Sequence, residues 1–327
     1  MPRTAHNVLT AVAMMAASVA VLTAIPTPAE AHISIHCAPE SGRREADPIV
    51  TNDAPVPSAH LHTFLGNSVL ADMVNPNRAV YSDLVGKATT CTNLADSAAY
   101  WFPTVFKGGV ALPIEGQTSY YRDFDNDQED VDSPIRAYPK DARFVAGNGG
   151  ALNPQPGYIV NWGCGEFSGR NGAFADPVAA ACDSATGSKV RLEMRIRFPS
   201  CWDGTSNNHA TGNTADFSGT HPIAQHYAYG LQADGDPHSF LGVTHCPSSH
   251  PLEVPALAMT QRFDYQGDGR NISISSGDIH SLHADFWNTW VQTGLTRAID
   301  RCIKTTITDH PHGFPKDCGP DPNGERV

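Results

Sequence analysis

Basic residues are scarce in this chain. Lys and Arg together number 22 against 34 Asp and Glu, so the formal net charge at pH 7 is -12. An acidic balance of this size disfavours nucleic acid and anionic membrane surfaces as partners, because both carry negative charge. Histidine is abundant by contrast, with 15 residues, and it is the side chain that binds metals and transfers protons near neutral pH.

Long apolar runs are absent beyond residue 25, so no later segment is expected to span a bilayer. Before that point, Arg3 is followed by an apolar run over residues 8–25 and then by Ala29-Glu30-Ala31. This order is typical of a secretory signal peptide over residues 1–31 that is cleaved after Ala31, and a retained N-terminal anchor is the alternative. We therefore expect a secreted, extracellular protein with no membrane span.

The C-x-x-C spacing is also absent, which disfavours zinc-ribbon and thioredoxin-like proteins. The eight cysteines form an even set, which allows complete pairing in an oxidising compartment. We expect four disulfides, with Cys164 to Cys182 and Cys302 to Cys318 as local pairs and Cys201 to Cys246 as a longer one, although spacing alone does not fix the connectivity. The cysteines are Cys37, Cys91, Cys164, Cys182, Cys201, Cys246, Cys302 and Cys318.

Glycine and proline, with 28 and 25 residues, are spread along the whole chain. They break it into short elements and favour a β-rich architecture with long loops. No internal repeat or linker-like tract divides the chain. We expect one disulfide-stabilised domain that is mainly β, β-sandwich-like (jelly-roll-like), with a C-terminal helix.

Three segments have the alternation of apolar and polar residues that predicts strands: 158–162, 190–198 and 271–275. The clearest is 190–198, in which Leu192, Met194, Ile196 and Phe198 would face the core. A helix is predicted from about Asp285 to Ile303, because apolar residues recur there near helical spacing.

Two histidines separated by one residue, His60 and His62, lie in an apolar segment. Side chains alternate across a strand, so both imidazoles would point to one face and converge on one ion or one substrate group. The same pattern also fits a polar strand face that has no site, with Leu61 turned into the core.

Several separated blocks follow one another in the order of a known pattern. They are 47–50, 60–67, 96–103, 198–204, 246–251 and 283–286, which read DPIV, HLHTFLGN, DSAAYWFP, FPSCWDG, CPSSHP and HADF. Together they resemble a secreted family of fungi and actinobacteria, the domain of unknown function numbered nineteen ninety-six, which in fungi often sits beside WSC carbohydrate-binding modules. The resemblance implies the fold and the secreted setting of that family, and it implies no particular activity, because none is established for the family.

The resemblance also divides the chain. The family domain is expected over 47–303, between an N-terminal segment over 32–46 that follows the signal peptide over 1–31 and a C-terminal tail with a disulfide over 304–327.

His283 and Asp285 repeat the spacing of the first histidine pair and would share a face in an extended segment. If the two segments are neighbours, then His60, His62, His283 and Asp285 surround one point. Three imidazoles and a carboxylate suit a divalent transition metal and leave its identity open. The alternative role for Asp285 is to cap the terminal helix.

Aromatic residues are candidates for a sugar-binding surface, and the candidates are Trp101, Tyr121, Trp202 and Tyr227. A buried aromatic beside a disulfide is the alternative for each. The acidic stretch 123–132 lacks the glycine of an EF-hand loop, which leaves a solvated acidic loop or adventitious calcium binding.

No G-x-S-x-G nucleophile elbow is present. We therefore expect a protein that acts on or binds a glycan or cell-wall polymer through a histidine-lined cleft, with a possible divalent metal. If it is an enzyme, the histidines would be metal ligands or proton carriers in a metal-assisted or acid/base reaction. The alternative is a noncatalytic wall-binding module, which requires exposed aromatic platforms.

Overall fold

A computed structural model describes residues 32–37, 41–51, 53–123, 135–165, 174–184, 190–205, 226–232, 237–238, 243–304 and 318. The predicted signal peptide, most of the acidic stretch and nearly all of the C-terminal tail lie outside the described residues.

The described chain is built from short strands with few helices. The strands are β1 (His32–Cys37), β2 (Gly42–Arg44), β3 (His62–Gly66), β4 (Ala99–Pro103), β5 (Val105–Lys107), β6 (Val110–Ala111), β7 (Ile114–Arg122), β8 (Arg143–Gly147), β9 (Val160–Cys164), β10 (Leu192–Arg197), β11 (Cys201–Trp202), β12 (Tyr227–Ala228), β13 (Gly230–Gln232), β14 (Pro237–His238), β15 (Val243–His245), β16 (Leu252–Glu253), β17 (Ala256–Phe263), β18 (Ile272–Ile274) and β19 (His283–Trp287). The α-helices are α1 (Tyr81–Leu84), α2 (Pro177–Ala180) and α3 (Gln292–Cys302), and the 3-10 helices are Leu70–Asp72, Pro76–Arg78, Cys182–Ser184 and Ile279–Ser281.

Two five-stranded antiparallel sheets form the body of the fold. The first has the order β1-β7-β17-β10-β9, and the second has the order β2-β3-β4-β19-β8. The structure also has three small three-stranded sheets, with the orders β12-β11-β16, β14-β13-β15 and β18-β5-β6. In the second sheet, neighbouring strands come from distant parts of the chain, so its formation requires long-range pairing.

The two large sheets pack face to face through apolar side chains. Phe102 of the second sheet contacts Phe263 of the first with ring centroids 6.4 Å apart, and Phe286 contacts Tyr121 at the same separation. Leu192, Met194 and Ile196 of β10 are buried in this core, as the alternation of 190–198 predicted. The result is the β-sandwich that the sequence indicated.

The second sheet is covered on its outer face as well. A separate apolar cluster joins Phe64, Trp101 and Trp287 of the sheet to Ile49 and Leu84 of the segment between β2 and β4. Every residue of β3, β4 and β19 is therefore buried. Polar side chains on the outer face of this sheet are enclosed by protein.

The predicted start of the C-terminal helix is wrong. Residues His283–Trp287 form β19, which pairs with β4 and β8, and the helix begins only at Gln292. In this strand, His283, Asp285 and Trp287 point to one face of the sheet, and Ala284 and Phe286 point to the other. The remaining part of the predicted helix is present as α3, with Leu295, Ile299 and Cys302 buried.

Four disulfides link the described cysteines. Cys164–Cys182, Cys201–Cys246 and Cys302–Cys318 are the pairs that the sequence indicated, and Cys37 pairs with Cys91. Full oxidation is consistent with an oxidising compartment. Among the described residues, no helix has the length and apolar character needed to cross a membrane.

Candidate metal centre

Three histidines converge on the outer face of the second sheet. The ring centroids of His60 and His62 are 4.2 Å apart, those of His60 and His283 are 5.1 Å apart, and those of His62 and His283 are 5.7 Å apart. One ring nitrogen from each residue lies within 4.8 Å of the other two. The proximity that the spacing of the two histidine segments predicted is therefore present.

The order of the strands brings these rings together. His62 opens β3 and His283 opens β19, and β4 runs between them. Opposite His62, β4 carries the compact side chain of Pro103, so the two imidazoles meet over β4. His60 lies in the bend just before β3 rather than in the strand, and it is partly exposed, whereas His62 and His283 are buried.

Backbone carbonyls fix the tautomer of two of the histidines. His62 Nδ1 lies 2.8 Å from the Ala46 carbonyl oxygen, and His283 Nδ1 lies 2.8 Å from that of Ser281. A carbonyl only accepts, so each Nδ1 carries the hydrogen and each Nε2 carries a lone pair. A metal-binding histidine is held in this way in most proteins.

The Nε2 atoms of His60 and His62 are buried without a hydrogen-bond partner. Unpaired buried polar atoms are rare, because each loses its hydrogen bonds to water without replacement. His62 Nε2, which carries a lone pair because its Nδ1 donates to Ala46, therefore points to a ligand that accepts a nitrogen lone pair.

Two buried carboxylates complete the cluster. Asp285 shares a strand face with His283, it is fully buried, and neither of its oxygens has a hydrogen-bond partner. Asp47, His62 and Asp285 form a second set of ligand atoms that lie within 4.8 Å of one another. The capping role considered for Asp285 is wrong, because this residue lies inside a strand.

Asp47 is the site residue that the sequence reasoning missed. Its Oδ1 accepts the backbone N–H groups of Ile49 and Val50, both at 3.1 Å, in a turn that precedes the histidine segment. Asn77 Oδ1 accepts the Asp47 N–H at 2.9 Å and anchors this turn to the segment that covers the sheet. The one available signal was its position at the start of the first family-like block.

Burial controls the protonation of the cluster. It lowers the pKa of His62 and of His283 to about 3, with the nearby imidazoles adding to the effect, and it lowers the pKa of His60. Burial also raises the pKa of Asp47, and it raises that of Asp285 well above its usual range with help from the Asp47 charge. The imidazoles are neutral at pH 7, which is the form that binds metals.

The donors favour a single ion. His62 belongs to both sets of ligand atoms, and it has one free nitrogen, since its Nδ1 is bound to Ala46. An imidazole nitrogen holds one ion, so His62 cannot serve two ions at once, one in each set. A further group of Cys37, Cys91 and Asp96 is no metal site, because its two cysteines are joined in a disulfide.

Three of the four predicted sugar-binding aromatics are buried. Trp101 and Tyr121 are fully buried between elements of the fold, and Tyr227 is buried against Phe144 with ring centroids 4.0 Å apart. A sugar ring has no access to these faces. Trp202 is half-buried at the end of β11, and it is the candidate among the four that keeps exposed surface.

These features define a disulfide-linked antiparallel β-sandwich protein with a buried histidine and carboxylate cluster. The chain belongs to the family described as a domain of unknown function, DUF1996, whose profile matches residues 47–290. The match contains all five residues of the cluster and confirms the resemblance found in the sequence. No curated protein and no solved structure matches the chain.

Proposed function

We propose that this protein is secreted and holds one divalent transition metal ion with His60, His62, His283 and Asp285, with Asp47 beside them. The observation that carries the proposal is Asp285. Its two oxygens are buried without partners, and it lies in one set of ligand atoms with His62, whose Nε2 is also buried without a partner and which in turn contacts His60 and His283.

A cation explains what is otherwise an unfavourable arrangement. A buried carboxylate without a hydrogen bond loses its hydration and gains nothing in return. A bound cation reverses this balance, because it stabilises the ionised carboxylates and binds the lone pairs of the imidazoles. The set of nitrogen and carboxylate donors suits zinc, manganese, iron, cobalt or copper better than calcium or magnesium, which prefer oxygen ligands.

Metal analysis of the purified protein tests this proposal. After incubation with Zn²⁺, Co²⁺ or Mn²⁺ and removal of free metal, we expect one ion per chain. The variants His60→Ala and His62→Ala should lose the ion, and His245→Ala, at an exposed position in β15, should keep it. A wild-type protein that retains none of the three metals would contradict the proposal.

The proposed partner is a glycan or a cell-wall polymer. Support comes from the setting that the family resemblance implies and from Trp202, which keeps exposed surface. The alternative, a noncatalytic wall-binding module, requires exposed aromatic side chains. Three of the four candidates lie in the core, so this alternative has less support.

Incubation with insoluble chitin, β-glucan and peptidoglycan separates the two roles. Release of soluble product that disappears in His62→Ala would support a metal-assisted reaction on the polymer. Binding without release that survives His62→Ala and is lost in Trp202→Ala would support the module instead. Absence of both binding and release would contradict the glycan proposal and leave the metal proposal to its own test.

A further inference from the structure

A loop glutamine joins the two backbone segments that enclose the third histidine of the cluster. Gln155 Oε1 accepts the Asn148 N–H at 2.8 Å, and Gln155 Nε2 donates to the carbonyls of His280 and Leu282 at 2.6 and 2.8 Å. The turn that begins at Asn148 and the segment that ends at Leu282 are therefore fastened to each other through one side chain.

Both fastened segments contact the His283 ring. The Ser281 carbonyl, which lies between the two carbonyls bound by Gln155, accepts from His283 Nδ1 at 2.8 Å. From the Asn148 turn, Gly149 lies so close that a Cβ built on it would be 3.1 Å from His283 Cε1 and 3.2 Å from Nδ1. The ring lies against a carbonyl and a turn that Gln155 links, beside the β8–β19 ladder in which His283 pairs with Gly147.

Gln155 differs from its neighbours in the loop, because its side chain points inward. Its neighbours Leu152, Asn153 and Pro154 are exposed, whereas the Gln155 side chain reaches inward to residues far along the chain. Gln155 thus ties an exposed loop to the segment that precedes His283.

We propose that Gln155 is a positioning residue for the metal centre and holds His283 Nε2 in the orientation that binds the ion. This inference rests on the proposed metal site. Direct hydrogen-bond partners of a metal ligand typically change metal affinity by about 10- to 100-fold when they are removed. Gln155 acts one step further away, through the backbone on either side of the Ser281 carbonyl.

The strand that carries His283 offers a matched control. Asn288 follows β19 at its other end, and its amide also donates to two backbone carbonyls, those of Tyr138 and Pro139, at 3.3 and 2.8 Å. Loss of this amide removes the same kind of contact without touching the segments that enclose His283.

The experiment compares Co²⁺ binding by the full chain and by Gln155→Ala, Gln155→Glu and Asn288→Ala. Affinity is measured by competition with a chelator, and ligand geometry by the visible absorption of the bound Co²⁺. Glu at 155 keeps the acceptor for Asn148 and loses both donors to the carbonyls, so it serves if the alanine variant does not fold.

We expect the affinity for Co²⁺ to fall several-fold in both Gln155 variants, with a changed absorption spectrum; this is less than the roughly 10- to 100-fold typical of a direct partner of a metal ligand, because Gln155 reaches His283 only through the backbone. Asn288→Ala should bind Co²⁺ as the wild type does, even if its unfolding midpoint falls as far as that of the Gln155 variants. Wild-type affinity in both folded Gln155 variants, or an equal loss in Asn288→Ala, would overturn the positioning role alone. A wild-type protein that does not bind Co²⁺, Zn²⁺ or Mn²⁺ would overturn the metal centre itself, together with this inference.

Discussion

His60 and His283 lie near opposite ends of the family domain, yet their ring centroids are 5.1 Å apart and the ring planes are nearly perpendicular. The contact exists because β3 and β19 flank the same strand of the second sheet. Two histidines that are close in sequence thus form a cluster with a third that is distant in sequence. Substitutions in this cluster should change both metal binding and stability.

Removal of the Asp285 carboxylate should stabilise the metal-free protein. Asp285→Ala eliminates a buried group without hydrogen bonds, and we expect the free energy of unfolding without metal to rise by about 1 kcal/mol or more. The same variant should bind Zn²⁺ far more weakly. Urea unfolding in the presence of a chelator and a zinc titration provide the two measurements.

Asp96→Ala is the matched control for that prediction. Asp96 is also a fully buried carboxylate, but it accepts the Tyr100 hydroxyl at 3.0 and 2.8 Å and the Ala98 N–H. Its removal leaves buried donors unpaired and should destabilise the fold by roughly 2 kcal/mol. A loss of stability in Asp285→Ala similar to that of Asp96→Ala would show that Asp285 has partners without any metal.

Alanine at residue 149 should weaken metal binding, because the new Cβ would press on the His283 ring at 3.1 Å. We expect a several-fold loss of affinity for Zn²⁺, measured by chelator competition, with the fold retained. Gly150→Ala is the control, since its Cβ meets only the Asn148 Oδ1 atom at 3.5 Å. Equal affinities of the two variants would contradict the close approach of the turn to His283.

Metal removal should lower the thermal midpoint of the wild-type protein. A ligand that binds only the folded state stabilises it by roughly 3 kcal/mol when its free concentration is 100 times its Kd. We expect a chelator to lower the midpoint in scanning calorimetry, and re-addition of Zn²⁺ to restore it. His62→Ala, which lacks a central ligand, should have the same midpoint with and without the chelator. A chelator effect of wild-type size in His62→Ala would place the ion elsewhere.

Asp96, a buried carboxylate outside the histidine cluster, should produce a pH-dependent stability of its own. Burial raises the pKa of Asp96 from 3.8 to about 7, against the hydrogen bonds from Tyr100 and Ala98 that favour the charged form. The folded state therefore holds a proton that the unfolded state has released between about pH 4 and pH 7. In this window the contribution of Asp96 to stability falls as the pH rises, by roughly 4 kcal/mol in total.

The variant Asp96→Asn has no proton to lose at this position. We expect the difference in unfolding free energy, Asp96→Asn minus wild type, to increase between pH 4.5 and pH 8. The subtraction removes the titration of distant groups, which is common to both proteins. Urea unfolding at the two pH values measures it, and a difference that stays constant would contradict the raised pKa.

Much of the fold follows from patterns within short segments. The alternation in 190–198 identifies β10 and its buried face. The even number of cysteines predicts four disulfides, and three of the observed pairs are those we expected although spacing did not fix them. The two histidine segments also revealed their shared-face spacing, because side-chain direction in an extended chain depends only on position. Local geometry is sufficient for the strand and for the shared face of the histidines.

The boundaries of β19 and α3 show where local patterns fail. Phe286 and Trp290 fit a helix by spacing, yet 283–287 pairs as a strand with β4 and β8. The hydrogen bonds and packing offered by two neighbouring strands outweigh a weak local preference.

The sequence by itself determined the family, the β-rich class, and the residues of the histidine cluster apart from Asp47. Only the tertiary structure decided that those residues meet, that Asp285 lies in a strand without partners, and that Trp101, Tyr121 and Tyr227 belong to the core. The physical reason is that the outer face of the second sheet is buried only because another segment of the chain packs over it. Here the cover is the segment between β2 and β4, which packs Ile49 and Leu84 over the second sheet, and no pattern within the strands encodes that contact.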